Sequence, residues 1–254
     1  MPIGTDITLS VVSHGQISMV QKLLADIQQY CRYEHLEVIV TLNLQGEEVP
    51  DLSYFSFPVR LVRNPIPLGF GANHNQAFAL AKGSFFCILN PDIRLNINPF
   101  PALVQKIGVS NVGVVAPLVV GPNGAQEDSA RLFPTPFAIV RRLLTGRHRA
   151  IYVSEGDNGQ PDWVGGMFML LSHNVYRQIE GFDERYFLYY EDVDLCGRLR
   201  LKGWSVVLCA EVQVTHDAQH SSHKSLRFLR WHLSSMIHFF ASATFFGLWR
   251  KGFL

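Results

Sequence analysis

Three carboxylates, Glu191, Asp192 and Asp194, follow an aromatic run in the stretch YFLYYEDVDLCGRLRLKGW. A carboxylate held against apolar walls at the start of a helix has the chemistry of a general base. The alternative is structural, because acids in a first helical turn complement the helix dipole and Asp194 can pair with Arg198 one turn later. The structural alternative explains Asp194 well, and it explains Glu191 and Asp192 less well.

A second candidate group is Asn90, Pro91 and Asp92, which directly follows the apolar run FFCIL. A strand that ends there would deliver one carboxylate into a crevice, where a divalent cation bridging a diphosphate needs oxygen ligands. Asp after Asn-Pro is also ordinary turn chemistry, so the pattern alone leaves both interpretations open.

A third candidate is a glycine-containing loop, Gly69, Phe70, Gly71, Ala72 and Asn73, which leads into an Ala-rich helical pattern. Its glycines would allow close approach of a ligand to the backbone, and a helix N-terminus behind them could receive an anion. The alternative is a plain junction between a loop and a helix.

The elements that must position these residues alternate between strand and helix patterns. Apolar, β-branched runs at 7–13, 36–43, 59–63 and 84–93 predict strands, and residues 19–30 have helical spacing. This alternation predicts an α/β fold with a mostly parallel sheet, whose ligands bind beyond the carboxyl ends of the strands. Residues 121–162 are rich in Gly, Pro and Arg, and we expect a mobile excursion over one edge of the sheet.

The composition excludes several classes of protein. With 254 residues that are 48% hydrophobic, the chain can form one large α/β domain or two small ones. Its net charge of +1 argues against a nucleic-acid partner. The four cysteines lie in apolar segments without a C-x-x-C pair, which predicts reduced core thiols in a cytosolic protein, and the N-terminus has no signal-peptide pattern.

The segments ILNPDI, GFGANHNQA, DWVGGMFML and GFDERYFLYYEDVDLCGRLRLKGW together resemble the family 2 inverting glycosyltransferases with a GT-A fold. The resemblance implies a GT-A domain over residues 1–215, with a mostly parallel central sheet flanked by helices. It implies that Asp192 is the general base, supported by Glu191 and Asp194. It also implies that Asn90 and Asp92 belong to the metal motif, with Asp92 binding Mg²⁺ or Mn²⁺ under the diphosphate of a nucleotide-sugar donor.

Further site residues follow from the same resemblance. His216 matches a histidine that reaches the metal or diphosphate in some members, although a lone His at a strand end is otherwise more often structural. The segment from Trp163 to Gly166 corresponds to the part facing the acceptor sugar, with a core Trp as the alternative. Members usually end the second strand in Asp-Asn, the Asp contacting the base. Here the positions are Leu42 and Asn43, so we expect Asn43 with Ser13 or His14 to take part in base recognition.

A single displacement with one base and no protein nucleophile would invert the anomeric centre. The sub-pattern HDAQHSSHKSLRFLRWHLSSMIHFF is similar to bacterial rhamnosyltransferases of O-antigen or cell-wall polysaccharide synthesis, which implies dTDP-L-rhamnose as donor and a polyprenyl-diphosphate-linked saccharide as acceptor. Galactosyl, glucosyl or mannosyl transfer stays open. Rivals from other classes are an inactive sugar-binding protein, which would be free to lose Asp192, and a nucleotidyltransferase, although VVSHGQIS has no phosphate-binding cation.

The C-terminal segment, residues 216–254, is basic and amphipathic. Its single acid is Asp217, and Leu226, Leu229, Leu233, Ile237 and Phe240 fall on one helical face, with Arg227, Arg230, Ser234 and His238 on another. The apolar run is too short to span a bilayer, so we expect this segment to lie on the anionic inner face of the cell membrane. The alternative is a helix packed on the domain or in a dimer.

Overall fold

The computed structural model describes residues 7–31, 35–49, 51–145, 160–217 and 226–254. Residues 146–159 of the predicted excursion, and residues 218–225 of the C-terminal segment, lie outside the described part. The elements, in chain order, are β1 (Ile7–Ser13), α1 (Ile17–Tyr30), β2 (Leu36–Leu42), β3 (Val59–Arg63), α2 (Phe70–Phe78), β4 (Phe85–Leu89), β5 (Ile93–Arg94), α3 (Phe100–Ile107), β6 (Val112–Val120), β7 (Ala130–Arg131), α4 (Pro136–Thr145), β8 (Trp163–Val164), β9 (Phe168–Ser172), α5 (His173–Gln178), α6 (Glu191–Leu201), β10 (Ser205–His216), α7 (Leu226–Phe240) and α8 (Ala243–Arg250).

The main sheet has eight strands in the order β3-β2-β1-β4-β9-β6-β10-β5. Only β9 and β5 run antiparallel to their neighbours, so the predicted mostly parallel sheet is confirmed. The reversal of β9 matters for function. Because Leu89, the last residue of β4, pairs with Phe168, the first residue of β9, the loop before β9 lies at the carboxyl edge of the sheet.

The sheet is covered on both faces, which explains why its strands are near-continuous apolar runs. One core cluster contains Leu23 and Leu24 of α1 and Leu103 of α3. The other contains Leu195 of α6 and Leu248 of α8. All four cysteines are buried and free, as predicted.

The C-terminal helices α7 and α8 pack against the body of the protein. Ser242 separates them and caps α8, accepting a hydrogen bond from the backbone N–H of Phe245. Leu248 of α8 lies in the core beside Gly197 of α6. The division that we predicted between residues 1–215 and 216–254 stays a prediction. No helix in the described ranges has the length and hydropathy needed to cross a membrane.

Candidate active site

The candidate site lies along the carboxyl edge of the main sheet. The parallel strands β1, β4 and β10 end there at Ser13, Leu89 and His216, and the antiparallel strand β9 begins there. Ligands of parallel sheets bind outside this edge. The predicted polar groups at the ends of β1, β4 and β10 are thus brought to one side of the molecule.

A strained turn delivers the acids of α6. Tyr189 and Tyr190 have φ angles of 70° and 66°, in the left-handed region, and Tyr190 is the residue that precedes the helix. Such a conformation costs a residue with a Cβ on the order of 1–2 kcal/mol, and it persists only where the surrounding packing enforces it. Here the ring of Tyr190 packs against Phe239 and Phe240 of α7. The aromatic run noticed in the sequence therefore fixes the point where Glu191 and Asp192 enter the site.

Asp192 is held by two backbone N–H groups. Its Oδ2 accepts a hydrogen bond from Gly166, in the loop before β9, at 3.1 Å, and its Oδ1 accepts one from Val193 at 2.8 Å. Gly166 has no room for a side chain, because a Cβ would lie 3.0 Å from the ring of Phe70. The predicted base, the predicted acceptor-side glycine and Phe70 are therefore in one place.

The pKa values of the two adjacent acids are raised to different extents. Burial raises the pKa of Glu191 well above its usual value, the neighbouring Asp192 raises it further, and Glu191 Oε2 is buried without a hydrogen-bond partner. Burial also raises the pKa of Asp192, but the N–H groups of Gly166 and Val193 oppose this effect. Of the two acids, Asp192 is therefore the one whose ionised form the protein stabilises by hydrogen bonds. A half-buried carboxylate of this kind can accept a proton.

A second group of charges surrounds His216 at the end of β10. His216 Nε2 lies 3.2 Å from Asp92 Oδ2, and His216 Nδ1 lies 2.7 Å from Glu127 Oε2. Burial lowers the pKa of His216, but the hydrogen bonds and charges of Asp92 and Glu127 outweigh it and raise the pKa to about 9. Sequence reasoning missed Glu127, which belongs to the segment that we interpreted as a mobile excursion. The only signal in the sequence was an acid in a Gly/Pro-rich stretch.

The polar side chains around His216 fit a divalent cation whose remaining ligands are oxygens of a diphosphate. Asp92 Oδ1 is buried and has no hydrogen-bond partner, and a buried carboxylate oxygen in that state is a good ligand for Mg²⁺ or Mn²⁺. The described residues contain no cluster of three or more His, Cys, Asp or Glu side chains arranged to hold a metal unaided. Mg²⁺ typically takes one or two carboxylates plus substrate phosphates, which agrees with this sparse ligand set. Asn90, two residues earlier, is half-buried at the same strand end.

Two asparagines that we predicted as ligand contacts are used within the protein. Asn43 Oδ1 accepts hydrogen bonds from Asn64 Nδ2 and Leu68 N, and its amide nitrogen donates to Leu68 O and His14 Nδ1. Asn73 donates to Leu68 O and Gly69 O and accepts from Asn64. Both side chains are buried, and these hydrogen bonds hold the loop before α2 in place.

The glycines of that loop also serve internal packing. A Cβ on Gly69 would lie 2.8 Å from Phe187 O, and a Cβ on Gly71 would lie 2.5 Å from the Cβ of Phe182. The N–H of Phe70 donates to Phe187 O at 2.8 Å. The glycines that we interpreted as space for a ligand therefore let α2 pack closely against the segment that leads to α6.

Ser13, at the end of β1, contacts a carboxylate that the sequence analysis did not select. Its hydroxyl donates to Glu47 Oε2, while Glu47 Oε1 accepts from the backbone N–H of Leu44 at 2.9 Å. His14 is exposed beside them. Glu47 thus places a half-buried negative charge at the edge where Leu42 supplies none. It comes five residues after β2, and the chain turn that returns it to the strand end was not visible in the sequence.

The remaining predicted residues have clear structural contacts. Asp194 is buried, and its carboxylate accepts hydrogen bonds from Arg198 Nε and Thr244 Oγ1, both at 2.7 Å. The structural role that we gave as the alternative for Asp194 is the one observed, because both oxygens of its carboxylate accept hydrogen bonds from Arg198 and Thr244. The indole N–H of Trp163 donates to Leu132 O at 3.0 Å, and its half-buried ring lies under Arg131.

This chain is similar in sequence to two bacterial rhamnosyltransferases and in structure to a mannosyltransferase. Rhamnosyltransferase WbbL of Escherichia coli K12 is 26% identical over 244 residues, which cover 91% of each chain. The N-acetylglucosaminyl-diphospho-decaprenol L-rhamnosyltransferase of Mycobacterium tuberculosis is 28% identical over 212 residues, covering 74% of this chain and 68% of its own. A mannosyltransferase of Pyrobaculum calidifontis, solved in complex with GDP-Man and Mn²⁺, superposes with a TM-score of 0.63 at 17% identity, covering 89% of this chain and 60% of its own.

The structural likeness shows the fold, which is GT-A, and confirms the predicted α/β class. The family model described as "Glycosyltransferase like family 2" matches residues 5–233, nearly the whole chain. The match includes β1, the Asp92 and Asp192 motifs, β10 and the first half of α7. This chain therefore belongs to the glycosyltransferase-like family 2 and is a glycosyltransferase.

Proposed function

We propose that this protein transfers L-rhamnose from dTDP-L-rhamnose to a polyprenyl-diphosphate-linked saccharide, with inversion, at the cytoplasmic face of the cell membrane. The observation that carries the proposal is that two acids in different surroundings, Asp192 and Asp92, lie at one edge of the sheet. Asp192 is oriented by the N–H of Gly166, and Asp92 presents an unpartnered oxygen beside His216. The names of the bacterial relatives support rhamnose, and the mycobacterial name supports a lipid-linked acceptor.

Asp192 takes the proton of the acceptor hydroxyl as its oxygen attacks the anomeric carbon, and the bond from that carbon to the diphosphate oxygen breaks. One displacement without a protein nucleophile inverts the configuration of that carbon. Mg²⁺ or Mn²⁺ would neutralise charge on the leaving diphosphate, and Asp92 would hold it, with His216 as a further ligand only in its neutral form. Glu191 lies beside Asp192 with its pKa raised well above the usual value.

The test is a transfer assay with purified protein, a lipid-linked N-acetylglucosamine acceptor and a panel of nucleotide sugars. We expect transfer from dTDP-L-rhamnose, loss of transfer in chelator, and an inverted anomeric configuration by NMR. If only another nucleotide sugar supports transfer, dTDP-L-rhamnose is not the donor, and the protein is still a glycosyltransferase. Release of diphosphate from a nucleoside triphosphate and a sugar phosphate, without glycosyl transfer, would contradict the proposal and indicate a nucleotidyltransferase.

Asp92→Ala should weaken the binding of dTDP by about tenfold or more when Mn²⁺ is present and leave it unchanged in chelator. The reason is that the variant loses a ligand of the ion that bridges protein and diphosphate, whereas the base pocket is untouched. Calorimetry in the two buffers measures both values. Equal weakening in chelator would show that Asp92 stabilises the loop instead.

Glu47→Gln should reduce the preference of the protein for thymine and uracil nucleotides. A carboxylate can accept a hydrogen bond from the imide N–H of these bases, whereas an amide can also donate and so tolerates an acceptor there. We expect the ratio of CDP to dTDP dissociation constants to fall by about tenfold, the worth of one hydrogen bond to a charged group. Glu48→Gln, at the exposed neighbouring position, is the matched control and should leave the ratio unchanged. An unchanged ratio in both variants would remove Glu47 from base recognition.

Attachment to the membrane surface is the part of the proposal that concerns α7. Leu226, Leu229, Leu233 and Ile237 are between 44% and 84% exposed, and Phe240, which we placed on the same face, packs against Tyr190 instead. The predicted apolar face is therefore largely uncovered, even though the helix itself docks on the domain. Apolar residues flanked by arginines suit the surface of an anionic bilayer.

A further inference from the structure

A second uncovered apolar stripe lies on α4, away from the C-terminal segment. Phe137, Val140 and Leu144 are 76%, 54% and 81% exposed, and their spacing of three and four residues puts them on one helical face. Leu132, just before the helix, is also exposed. Single exposed apolar side chains are ordinary on a protein surface, but a stripe of large ones on one short helix indicates an interaction surface.

The connections of α4 place its start beside the candidate site. The preceding strand β7 pairs with β8, and the indole N–H of Trp163 donates to Leu132 O. The loop after β8 contains Gly166, whose N–H binds Asp192. The chain that carries the α4 stripe is thus joined by hydrogen bonds to the loop that orients the predicted base.

The α7 helix also contacts the chain near the candidate site. The ring of Trp231 stacks on Phe187 at 4.6 Å, and Ser235 Oγ donates to Leu188 O at 2.8 Å. Phe187 and Leu188 belong to the aromatic segment that leads directly into Glu191 and Asp192. The α4 stripe is thus connected to the loop that contacts Asp192, and α7 packs on the segment that leads to Asp192.

The charges around the stripes favour an anionic surface. Neither α4 nor residues 226–254 contain an acidic residue, whereas Arg141 lies in α4 and Arg227 and Arg230 lie in α7. A second copy of this chain is a poor occupant, because a two-fold symmetric contact would set these cations against one another. A bilayer with anionic lipids offers both the negative charge and the apolar phase that such helices need.

We propose that α4 is a second membrane-binding helix, which acts together with α7 to hold the site at Asp192 close to the bilayer. The inference rests on the proposed function only in that this attachment would deliver a lipid-linked acceptor. The polyprenyl diphosphate would remain in the membrane while its saccharide reaches Asp192. A single helix would tether the protein, whereas two attached helices also restrict its orientation.

The test compares vesicle binding of Phe137→Ser/Leu144→Ser with that of Tyr54→Ser/Val109→Ser, a control pair that removes similarly exposed apolar side chains outside α4 and α7. Co-sedimentation uses vesicles of phosphatidylglycerol and phosphatidylethanolamine, without donor or acceptor. We expect the α4 variant to partition about tenfold or more less than the parent, because two large side chains no longer enter the apolar phase. The control pair should bind as the parent does. Vesicles of phosphatidylcholine alone should bind the parent weakly.

Two further measurements separate the possible outcomes. Transfer to a short soluble acceptor should be unchanged in the α4 variant, while transfer to the lipid-linked acceptor in vesicles falls. Vesicle binding equal to that of the parent would overturn the inference, as would a loss of self-association by ultracentrifugation in place of a loss of vesicle binding. Because binding is measured without nucleotide sugar, failure of rhamnosyl transfer would count against the proposed function and leave the role of α4 standing.

Discussion

Asp192→Asn is expected to lower turnover by about 10² to 10⁴, the usual contribution of general base catalysis, while dTDP and Mn²⁺ still bind. An amide at this position keeps the shape of the side chain but cannot take a proton from the acceptor hydroxyl. Steady-state transfer rates and calorimetry provide the two readouts. Transfer at the parental rate would show that Asp192 has only the structural role of an acid in the first turn of a helix.

The adjacent acid provides a matched control. Because Glu191 is buried and its pKa is raised well above the usual value, Glu191→Gln resembles its neutral form and should cost much less turnover than Asp192→Asn. The pH profile gives an independent check of the base. The pKa of Asp192 is raised, so activity should be present at neutral pH and be lost as the pH falls through a value above the ordinary range for Asp. An acid limb at the ordinary value would contradict the proposed environment of Asp192.

Asp194→Ala is expected to lower the free energy of unfolding by about 3–5 kcal/mol, the range for removing one partner of a buried ion pair. The side chain of Asp194 is 2% exposed, and its loss leaves Nε of Arg198 and the hydroxyl of Thr244 without their acceptor, while Arg198 Nη1 still donates to Ile179 O. The change also separates α6 from α8. Urea unfolding followed by circular dichroism measures the effect.

Glu211→Ala is the control for this experiment. Glu211 pairs with Lys106 at 2.7 Å on the surface, where its side chain is 67% exposed, so its removal should cost less than about 1 kcal/mol. If Asp194→Ala instead kept full stability and lost turnover, Asp194 would belong with the catalytic groups, as the family resemblance suggested.

Local pattern was sufficient for several elements of this fold, although the strand predicted at 84–93 is shorter and ends at Leu89. β1 and β3 occupy the predicted residues, and α6 begins at Glu191, as expected from the acids and the aromatic run. These features depend on side chains close in sequence, whose burial and spacing determine a strand or a helix almost independently of the rest. The order of strands along the edge, and the reversal of β9 that brings Gly166 to Asp192, depend on pairings that no local pattern encodes.

The sequence by itself determined the fold class, the family and the two acids on which the proposed chemistry depends, Asp92 and Asp192. Only the tertiary structure decided which polar residues are bound within a loop and which lie at the strand ends of the candidate site. Asn43 and Asn73 have the residue type of a binding group, yet buried partners satisfy their amides, whereas Glu127 and Glu47 reach strand ends 89 and 34 residues away in the chain. The physical reason is that the same polar side chain can stabilise a loop or bind a ligand. Only its burial and its hydrogen-bond partners, which depend on the folded chain, distinguish the two roles.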